Sequence, residues 1–253
     1  MLAICKYALG PVLLAQGLRM RRVALRLPEA AGPREGRVGE PRGQPLRLLF
    51  LGDSSAGGVG VAQQNQALAL PTAQSVAERL GVHVHWRLIA QSGVNTAEAL
   101  QLLRRAPAEP ADVLITALGV NDVTSQQSPH AFLFHYQCLV DEAVARTGVK
   151  AFVISGLPPM GILPGAPQPL RWYLGRYATR LDERLRHWCA GQENSVHLPM
   201  DWSAQPAQMA ADGYHPGPSQ YARWSALIAA RVVELAARLD LLQSGTDWPD
   251  AAA

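Results

Sequence analysis

Cysteine is scarce in this sequence: 253 residues include three, at positions 5, 138 and 189, far apart along the chain. An odd number of widely spaced cysteines predicts neither a disulfide framework nor the paired spacing of a structural zinc site. Cys138 and Cys189 lie in apolar helical patterns, where a buried thiol is the favoured interpretation. We therefore expect a protein of a reducing compartment that folds without disulfide bonds.

Long hydrophobic runs are also missing. Residues 2–14 are mostly apolar, but Lys6 and Pro11 interrupt them, and the stretch is too short for a transmembrane helix. Residues 1–47 contain nine Lys/Arg and three Asp/Glu, about +6, whereas the remaining 14 basic and 17 acidic residues sum to −3. The positive charge thus belongs to an N-terminal arm, and we expect no nucleic-acid partner.

The sequence offers no complete set of metal ligands and no nucleotide-binding loop. His83 and His85 alternate on one predicted strand, but no nearby carboxylate or cysteine would complete a metal site. The glycine-rich segment 57–60 lacks the Lys-Ser/Thr ending of a phosphate-binding P-loop. We therefore expect no metal and no cofactor.

Residues 1–27 join an apolar stretch to a cluster of arginines, which leaves several interpretations open. A helix here would either pack on the rest of the protein or lie on an anionic membrane surface as a peripheral contact, and packing is favoured. Residues 15–17 resemble a weak signal-peptidase site, but the short apolar core and the arginines after it oppose export. We expect a cytoplasmic protein, with membrane-peripheral placement and export through this weak signal kept open.

The composition of the chain after residue 27 predicts a two-part organisation. Residues 28–45 are rich in proline, glycine and arginine and show no apolar period, which is typical of a linker. Residues 1–45 are therefore interpreted as an arm with a linker, and residues 46–253 as one domain, long enough to bury a sizeable core. The sequence does not predict an oligomeric state.

Strand and helix patterns alternate regularly from residue 46 onwards. Short apolar runs predict strands at 46–51, 82–90, 112–118, 150–155 and 196–198. Apolar stripes at helical spacing predict helices at 66–80, 96–105, 129–146, 170–189 and 218–242. This alternation predicts an α/β fold, a three-layer α/β/α sandwich around a five-stranded parallel sheet, flavodoxin-like in general plan.

The first predicted strand leads into a polar, glycine-rich loop that contains Ser54. In open α/β sheets, ligands bind at the carboxyl ends of the strands, which is where Ser54 lies. Its small neighbours allow a sharp turn and leave the hydroxyl uncovered. Taken alone, this segment favours an ordinary loop over a nucleophile, because a Gly-Asp-Ser turn is an ordinary loop in most proteins.

Three later segments change that interpretation. They are Ser92-Gly93-Val94-Asn95-Thr96, Gly119-Val120-Asn121-Asp122 and Asp212-Gly213-Tyr214-His215-Pro216. With the Ser54 loop they resemble the four sequence blocks of the SGNH hydrolases, the GDSL esterase/lipase family, over about residues 46–240. Ser55 stands where the family name has leucine. The resemblance implies strand order 2-1-3-4-5 and serine-dependent ester hydrolysis.

The resemblance also implies a role for each of three side chains. A serine hydroxyl needs a base to remove its proton, and His215, in a loop flanked by glycine and proline, matches that base. Asp212 lies three residues earlier and would orient the imidazole. The alternative is that Asp212 caps a loop and His215 is an ordinary surface histidine.

Three donors would stabilise the oxyanion that forms on an ester carbonyl. The backbone N–H groups of Ser54 and Gly93 and the side-chain amide of Asn121 match the family's oxyanion hole. The alternatives are a turn residue at Gly93 and a helix cap at Asn121. Maintaining loop shape by hydrogen bonds is the expected role of three further polar residues, Asp53, Asn95 and Asp122.

Residues 157–172 contain five prolines and several apolar side chains and follow the fourth predicted strand. We prefer an acyl-pocket wall to the alternative, a stiff surface connection. The predicted protein is a serine esterase for short- to medium-chain acyl esters, with a small-molecule ester as its partner. Sugar deacetylation, lysophospholipid cleavage and thioester hydrolysis remain open, as do a catalytically silent carbohydrate- or lipid-binding domain and a membrane-associated interaction module.

Overall fold

The computed structural model describes residues 2–41 and 43–242, which form six strands and seven α-helices. The strands are β1 (Glu35–Val38), β2 (Leu46–Gly52), β3 (Val84–Ala90), β4 (Val113–Ala117), β5 (Ala151–Ser155) and β6 (Ser195–Leu198). The helices are α1 (Leu2–Val23), α2 (Ala69–Leu80), α3 (Thr96–Arg105), α4 (Val120–Thr124), α5 (Pro129–Thr147), α6 (Leu170–Ala190) and α7 (Pro218–Arg238).

The sheet has the strand order β1-β3-β2-β4-β5-β6. The five strands from β2 to β6 are mutually parallel, and their order is the 2-1-3-4-5 implied by the family resemblance. The predicted α/β sandwich is therefore confirmed. The expectation of a five-stranded, wholly parallel sheet is wrong, because β1 adds a sixth, antiparallel strand at the β3 edge.

Strand β1 lies inside the segment that the composition predicted to be a linker. Its four residues alternate between exposed and half-buried, and Val38 is its one apolar residue. An edge strand this short and polar leaves no periodic signal in the sequence. A short polar edge also disfavours pairing with the strands of other chains. The pairing with β3 ties residues 35–38 into the sheet, across the predicted domain boundary at residue 46.

The central strand β2 is buried on both faces. Because side chains alternate along a strand, Leu48 and Phe50 enter the core beneath α2 and α7. Leu49 and Leu51 enter the opposite core, which α3, α5 and α6 cover. An apolar run without alternation is the pattern expected of a parallel strand between two helical layers.

Helix α1 packs on α6, which is the alternative that the sequence favoured for this region. Leu13 is buried in the core on the α6 side of the sheet. The Gln16 side chain joins α1 to the start of α6: its Nε2 donates to the carbonyl of Gln168 at 2.7 Å, and its Oε1 accepts from the N–H of Leu170 at 3.0 Å. Over residues 2–41 and 43–242, we find no helix with the length and hydropathy needed to cross a bilayer.

The carboxyl ends of the parallel strands meet at one edge of the sheet. Ser54 and Gly93 lie in the turns that follow β2 and β3, and Asn121 lies in the first turn of α4, which follows β4. Strand β5 leads into the proline-rich segment 157–169, and the segment after β6 leads to His215. The fold therefore gathers at this edge all four segments that the sequence singled out.

Candidate active site

The Ser54 loop has a shape that its neighbours determine. A side chain at Gly52 would lie 2.6 Å from the carbonyl oxygen of Ala117, so only glycine lets β2 turn here beside β4. The buried Tyr221 of α7 donates its hydroxyl to the carbonyls of Ser55, at 3.0 Å, and Val59, at 2.8 Å. These contacts leave the Ser54 side chain at the surface of a cleft.

The loop that carries His215 is organised by one carboxylate. Oδ1 of Asp212 accepts the backbone N–H groups of Tyr214, at 2.9 Å, and His215, at 3.1 Å. Gly213 has a φ of +70°, a conformation that glycine adopts without strain. This tight turn folds the His215 ring back over Asp212 and leaves Oδ2 of Asp212 free to face it.

A close backbone contact brings the serine and histidine loops together. Any Cβ at Gly60 would collide with the carbonyl oxygen of Pro216, the residue after His215. The glycine-rich segment after Ser54, which lacks the features of a phosphate loop, is thus needed for the approach of two chain segments. The sequence showed the glycines but not the reason for them.

Three predicted side chains form a continuous hydrogen-bonded chain. His215 Nε2 lies 2.8 Å from Ser54 Oγ, and His215 Nδ1 lies 2.6 Å from Asp212 Oδ2. Burial acts to raise the pKa of Asp212, but the hydrogen bonds from the His215 side chain and the backbone N–H groups outweigh it, so the pKa is lowered. Asp212 is therefore a carboxylate at neutral pH. The structure brings these residues together, and their roles in catalysis stay predictions.

Two of the three predicted oxyanion donors are unengaged. Within residues 2–41 and 43–242, the backbone N–H groups of Ser54 and Gly93 donate to no other group. Gly93 has a φ of +87° and lies in the turn after β3, so it is a turn residue as well as a candidate donor. The carbonyl of its neighbour Val94 accepts from Asn121, which places this turn beside the third candidate.

The third candidate, Asn121, is already hydrogen-bonded. Its Nδ2 donates to the carbonyl of Val94 at 2.9 Å and to Oδ2 of Asp53 at 3.2 Å. The alternative of a helix cap is wrong, because the residue at the cap position of α4 is Gly119. Both amide hydrogens already have acceptors. An oxyanion would therefore have to share the hydrogen that now points to Asp53, which forms the longer of the two bonds.

Asn121→Ala is expected to lower kcat on a soluble ester on the order of 10²–10³, the loss typical of one side-chain oxyanion donor. KM should change less, since the interaction strengthens only when charge develops in the transition state. Asn194→Ala is a matched control, because it removes one amide–carbonyl hydrogen bond, to Lys150, away from the site. An unchanged kcat with a lowered melting temperature would remove Asn121 from the active site.

Asp53, Asn95 and Asp122 hold loops, as predicted. Asn95 accepts from the N–H of Glu98 and begins α3 with a capping box. Asp122 accepts from both the N–H and the hydroxyl of Thr96, and burial raises its pKa to about 6. Burial raises the pKa of Asp53 to about 7, and the charge of Asp122 adds to the rise.

The cleft above Ser54 and His215 has mostly apolar walls. Its apolar lining side chains come from several parts of the chain: Met20, Leu118, Val120, Pro158, Pro159, Met160, Ile162, Leu163, Leu174, Met200, Trp202, Met209 and Trp224. Five of these residues belong to the segment 157–172. The prediction that this segment lines a pocket is confirmed for residues 158–163, whereas residues 164, 165, 167 and 168 are exposed and do not line the cleft.

One residue that sequence reasoning missed is Glu29. Its Oε1 accepts from the N–H of Ser92 at 2.7 Å and from the Ser92 hydroxyl at 2.6 Å. Glu29 is paired with Arg34, which donates to the carbonyl of Ala90 at 2.6 Å. This pair therefore holds the turn that presents Gly93 from both sides. Glu29 lies in the predicted linker, where no local pattern distinguishes it.

Glu29→Ala is expected to lower kcat about 10- to 100-fold. Without Glu29 the turn that presents Gly93 can shift, and a displacement of roughly 1 Å in a positioned group lowers the rate by a factor of that order. Glu29→Gln should lose less, since an amide oxygen can still accept the Ser92 N–H. Glu40→Ala, at an exposed glutamate of the same region, is the control. Steady-state kinetics and melting temperatures of the three variants test this. Equal kcat losses in all three, or a loss of stability alone, would contradict a positioning role.

The part of the chain that the structure describes contains no cluster of three or more His, Cys, Asp or Glu side chains suited to a metal ion. His83 and His85 lie with their ring centroids 4.6 Å apart on and beside β3. No third metal ligand joins this pair among the residues that the structure describes.

Comparison with known sequences finds a matching family and a curated relative. Residues 50–223 match the model of the GDSL-like lipase/acylhydrolase family. A GDSL-like esterase of Mycobacterium tuberculosis is 27% identical over 220 residues, which cover 81% of this chain and 65% of that protein. The chain thus spans less than two thirds of this relative's length.

Solved structures show the same fold. TesA has 22% sequence identity and a TM-score of 0.57, with 75% of this chain and 99% of that chain covered. Est24, a carbohydrate acetylesterase from Sinorhizobium meliloti, has 16% identity and a TM-score of 0.52, with 75% and 99% covered. At these identities, the likeness shows the fold of the chain and leaves its substrate open.

Proposed function

The chain belongs to the GDSL-like lipase/acylhydrolase family, and we propose that it is a serine esterase that hydrolyses short- to medium-chain acyl esters through a covalent acyl-enzyme. Ser54 is the proposed nucleophile, His215 the proton shuttle and Asp212 the residue that orients the imidazole. The observation that carries this proposal is the hydrogen-bonded chain from Ser54 through His215 to Asp212, open to an apolar cleft.

Acylation begins with the proton of the Ser54 hydroxyl. His215 takes it at Nε2 as Oγ attacks the acyl carbon, and Asp212 stabilises the resulting imidazolium through Nδ1–H. The carbonyl oxygen becomes an oxyanion, for which the N–H groups of Ser54 and Gly93 and the amide of Asn121 are the proposed donors. The intermediate collapses when His215 returns the proton to the leaving alkoxide, which departs as the alcohol.

Deacylation repeats the same proton transfers with water. Nε2 of His215 removes a proton from a water molecule, whose oxygen attacks the Ser54 ester. The second tetrahedral intermediate expels Oγ, His215 returns the proton to it, and the carboxylic acid leaves. The net reaction consumes one water and one ester bond, and each group of the chain returns to its starting protonation state.

The cleft walls suggest which part of the ester they contact. Methionine, leucine, isoleucine and tryptophan side chains gain from burying alkyl groups and give few partners to sugar hydroxyls. We therefore place the acyl group of the substrate against Met160, Leu163 and Trp224. Thioesters carry the same acyl groups and would use the same steps with a thiolate leaving group.

Labelling with a fluorophosphonate tests the proposal directly. A fluorophosphonate reacts with an activated serine, so mass spectrometry of the labelled protein should locate the adduct on Ser54. Prior incubation with an ester substrate should slow the labelling. A protein that neither reacts with the probe nor hydrolyses any ester would be a silent binding domain, and the proposal would be wrong.

Short to medium acyl chains are expected to be hydrolysed with higher kcat/KM than long ones. The segment 157–172 supplies the main apolar wall, and the described residues include no long apolar insertion that would cover an extended chain. A panel of p-nitrophenyl esters with graded acyl length, paired with the matching thioesters, measures this preference. The highest kcat/KM on a C16 ester would contradict it.

A further inference from the structure

Helix α1 carries two different apolar stripes. One consists of Leu9, Leu13 and Met20, which pack against the core on the α6 side of the sheet, with Gln16 hydrogen-bonded in the same row. These positions repeat at spacings of four, three and four residues, so they occupy one face of a helix. This stripe explains why α1 is attached to the domain.

The second stripe faces away from the domain. Tyr7, Leu14 and Leu18 are 84%, 64% and 47% exposed. At about 100° per residue their side chains lie within roughly 40° of one another, and they point about 100° to 140° away from Leu13. Three large apolar side chains are thus aligned on one face over three turns, unlike the scattered exposed apolar residues that every protein has. Docking on the domain does not explain this stripe.

Charge of one sign surrounds the exposed stripe. Arg21 and Arg22 follow Leu18 by one turn and lie on either side of the stripe, and both are exposed. Lys6 and Arg19 are exposed on other faces of the helix, and residues 2–28 contain no Asp or Glu. Arginines flanking an apolar helical face match the two parts of an anionic bilayer surface, its lipid phosphates and the acyl region beneath them.

We propose that the outer face of α1, formed by Tyr7, Leu14, Leu18, Arg21 and Arg22, is a docking surface for an anionic phospholipid bilayer. A second copy of the chain is a poorer fit, since residues 2–28 contain no carboxylate that could pair with the arginines of the other copy. Docking is peripheral: the helix lies in the interface with its inner face held on the domain.

Helix α1 lies beside the cleft, so docking of this helix on a bilayer bears on which substrate reaches the cleft. Met20, on the inner stripe at the same end of the helix as Arg21 and Arg22, lines the cleft above Ser54. A bilayer bound by the outer face would therefore lie close to the cleft mouth. This consequence depends on the proposed esterase function, and its substrate would be an ester that partitions into membranes. The docking itself depends only on α1.

Sedimentation with vesicles tests the docking without any measurement of turnover. The full chain should bind vesicles of phosphatidylcholine with phosphatidylglycerol at low salt, and bind vesicles of phosphatidylcholine alone far more weakly. Arg21→Gln/Arg22→Gln should lower the partition coefficient about 20- to 30-fold, the product of two basic contacts near an anionic surface. Raising the salt to about 1 M should remove most of the difference between the two vesicle types.

Matched double variants serve as controls. Leu14→Ser/Leu18→Ser should lower vesicle binding at least about tenfold, since it removes most of the buried apolar area. Phe134→Ser/Val144→Ser changes two α5 residues that are 54% and 44% exposed, and Arg184→Gln/Arg186→Gln changes two exposed arginines of α6; neither should affect binding. All variants should keep wild-type circular dichroism and wild-type kcat/KM on a soluble ester.

Three results would overturn the proposal. The first is a wild-type chain that ignores anionic vesicles at low salt, and the second is an equal loss of binding in the control variants. The third is a wild-type dimer in solution that becomes a monomer in Leu14→Ser/Leu18→Ser while vesicle binding is unchanged. That result would show that this face is a contact between two copies of the chain. Vesicle binding by a chain without esterase activity would refute the proposed function and leave the docking surface standing.

Discussion

Ser54→Ala is expected to lower kcat for ester hydrolysis on the order of 10⁶, the loss produced by removing the nucleophile of a comparable triad. In the proposed reaction the hydroxyl, 2.8 Å from His215 Nε2, supplies the oxygen that bonds to the acyl group, and alanine has no atom to replace it. Fluorophosphonate labelling should disappear with it. Loss of one hydroxyl at a partly exposed loop should leave the melting temperature within a few degrees of wild type.

Ser55→Ala is the matched control for this substitution. Ser55 contributes its backbone to the loop, through its N–H to Asp53 and its carbonyl to Tyr221, and alanine preserves both contacts. The control should retain wild-type kcat and labelling. Near-wild-type turnover by Ser54→Ala with normal circular dichroism would show that the nucleophile assignment is wrong.

Asp212→Asn is expected to lower kcat by about 10⁴, through the tautomer of His215. Oδ1 of Asp212 accepts two backbone N–H groups, which would hold the asparagine oxygen in the same place. The amide nitrogen would then face Nδ1 of His215 and donate to it, so the ring proton would move to Nε2. A protonated Nε2 cannot take the proton of Ser54, although the geometry is nearly unchanged.

The measurement for Asp212→Asn is kcat at neutral pH together with the melting temperature. Asp201→Asn, at an exposed carboxylate before the same loop, is the control and should leave kcat unchanged. Asp212→Ala should lose both rate and stability, because the two backbone N–H groups would then lack their acceptor. The wrong tautomer should cause a large loss of kcat. If kcat of Asp212→Asn instead stays within about threefold of wild type, Asp212 has no part in the proton relay.

The elements with strong local signals could be predicted from the sequence. The helix predicted at 96–105 coincides with α3, because the Asn95 capping box defines its start and its apolar stripe defines its buried face. The last helix was predicted too long, to residue 242, whereas α7 ends at Arg238. Strand β1 was missed, since it gains its stability from pairing with β3 and not from its own composition.

The sequence by itself determined the fold class and the segments of the candidate site. Alternating strand and helix periods require a layered α/β sandwich, and carboxyl-edge geometry then places the loops after β2, β3 and β4 together. The four blocks that resemble the SGNH hydrolases predict Ser54, Asp212 and His215 as the candidate site residues. These inferences depend on local pattern and chain order, which a sequence contains in full.

Only the tertiary structure decided how distant segments support the site. Glu29 holds the Ser92 turn from 63 residues away, and Tyr221 holds the Ser54 loop through the carbonyl of Ser55, 166 residues away. Asn121 binds Asp53 and Val94, where the sequence left a helix cap open. Helix α1 is attached to α6 by Gln16 and Leu13, while its opposite face stays exposed. Such contacts join residues with no local pattern in common, because they are set by where the chain passes after the core has formed.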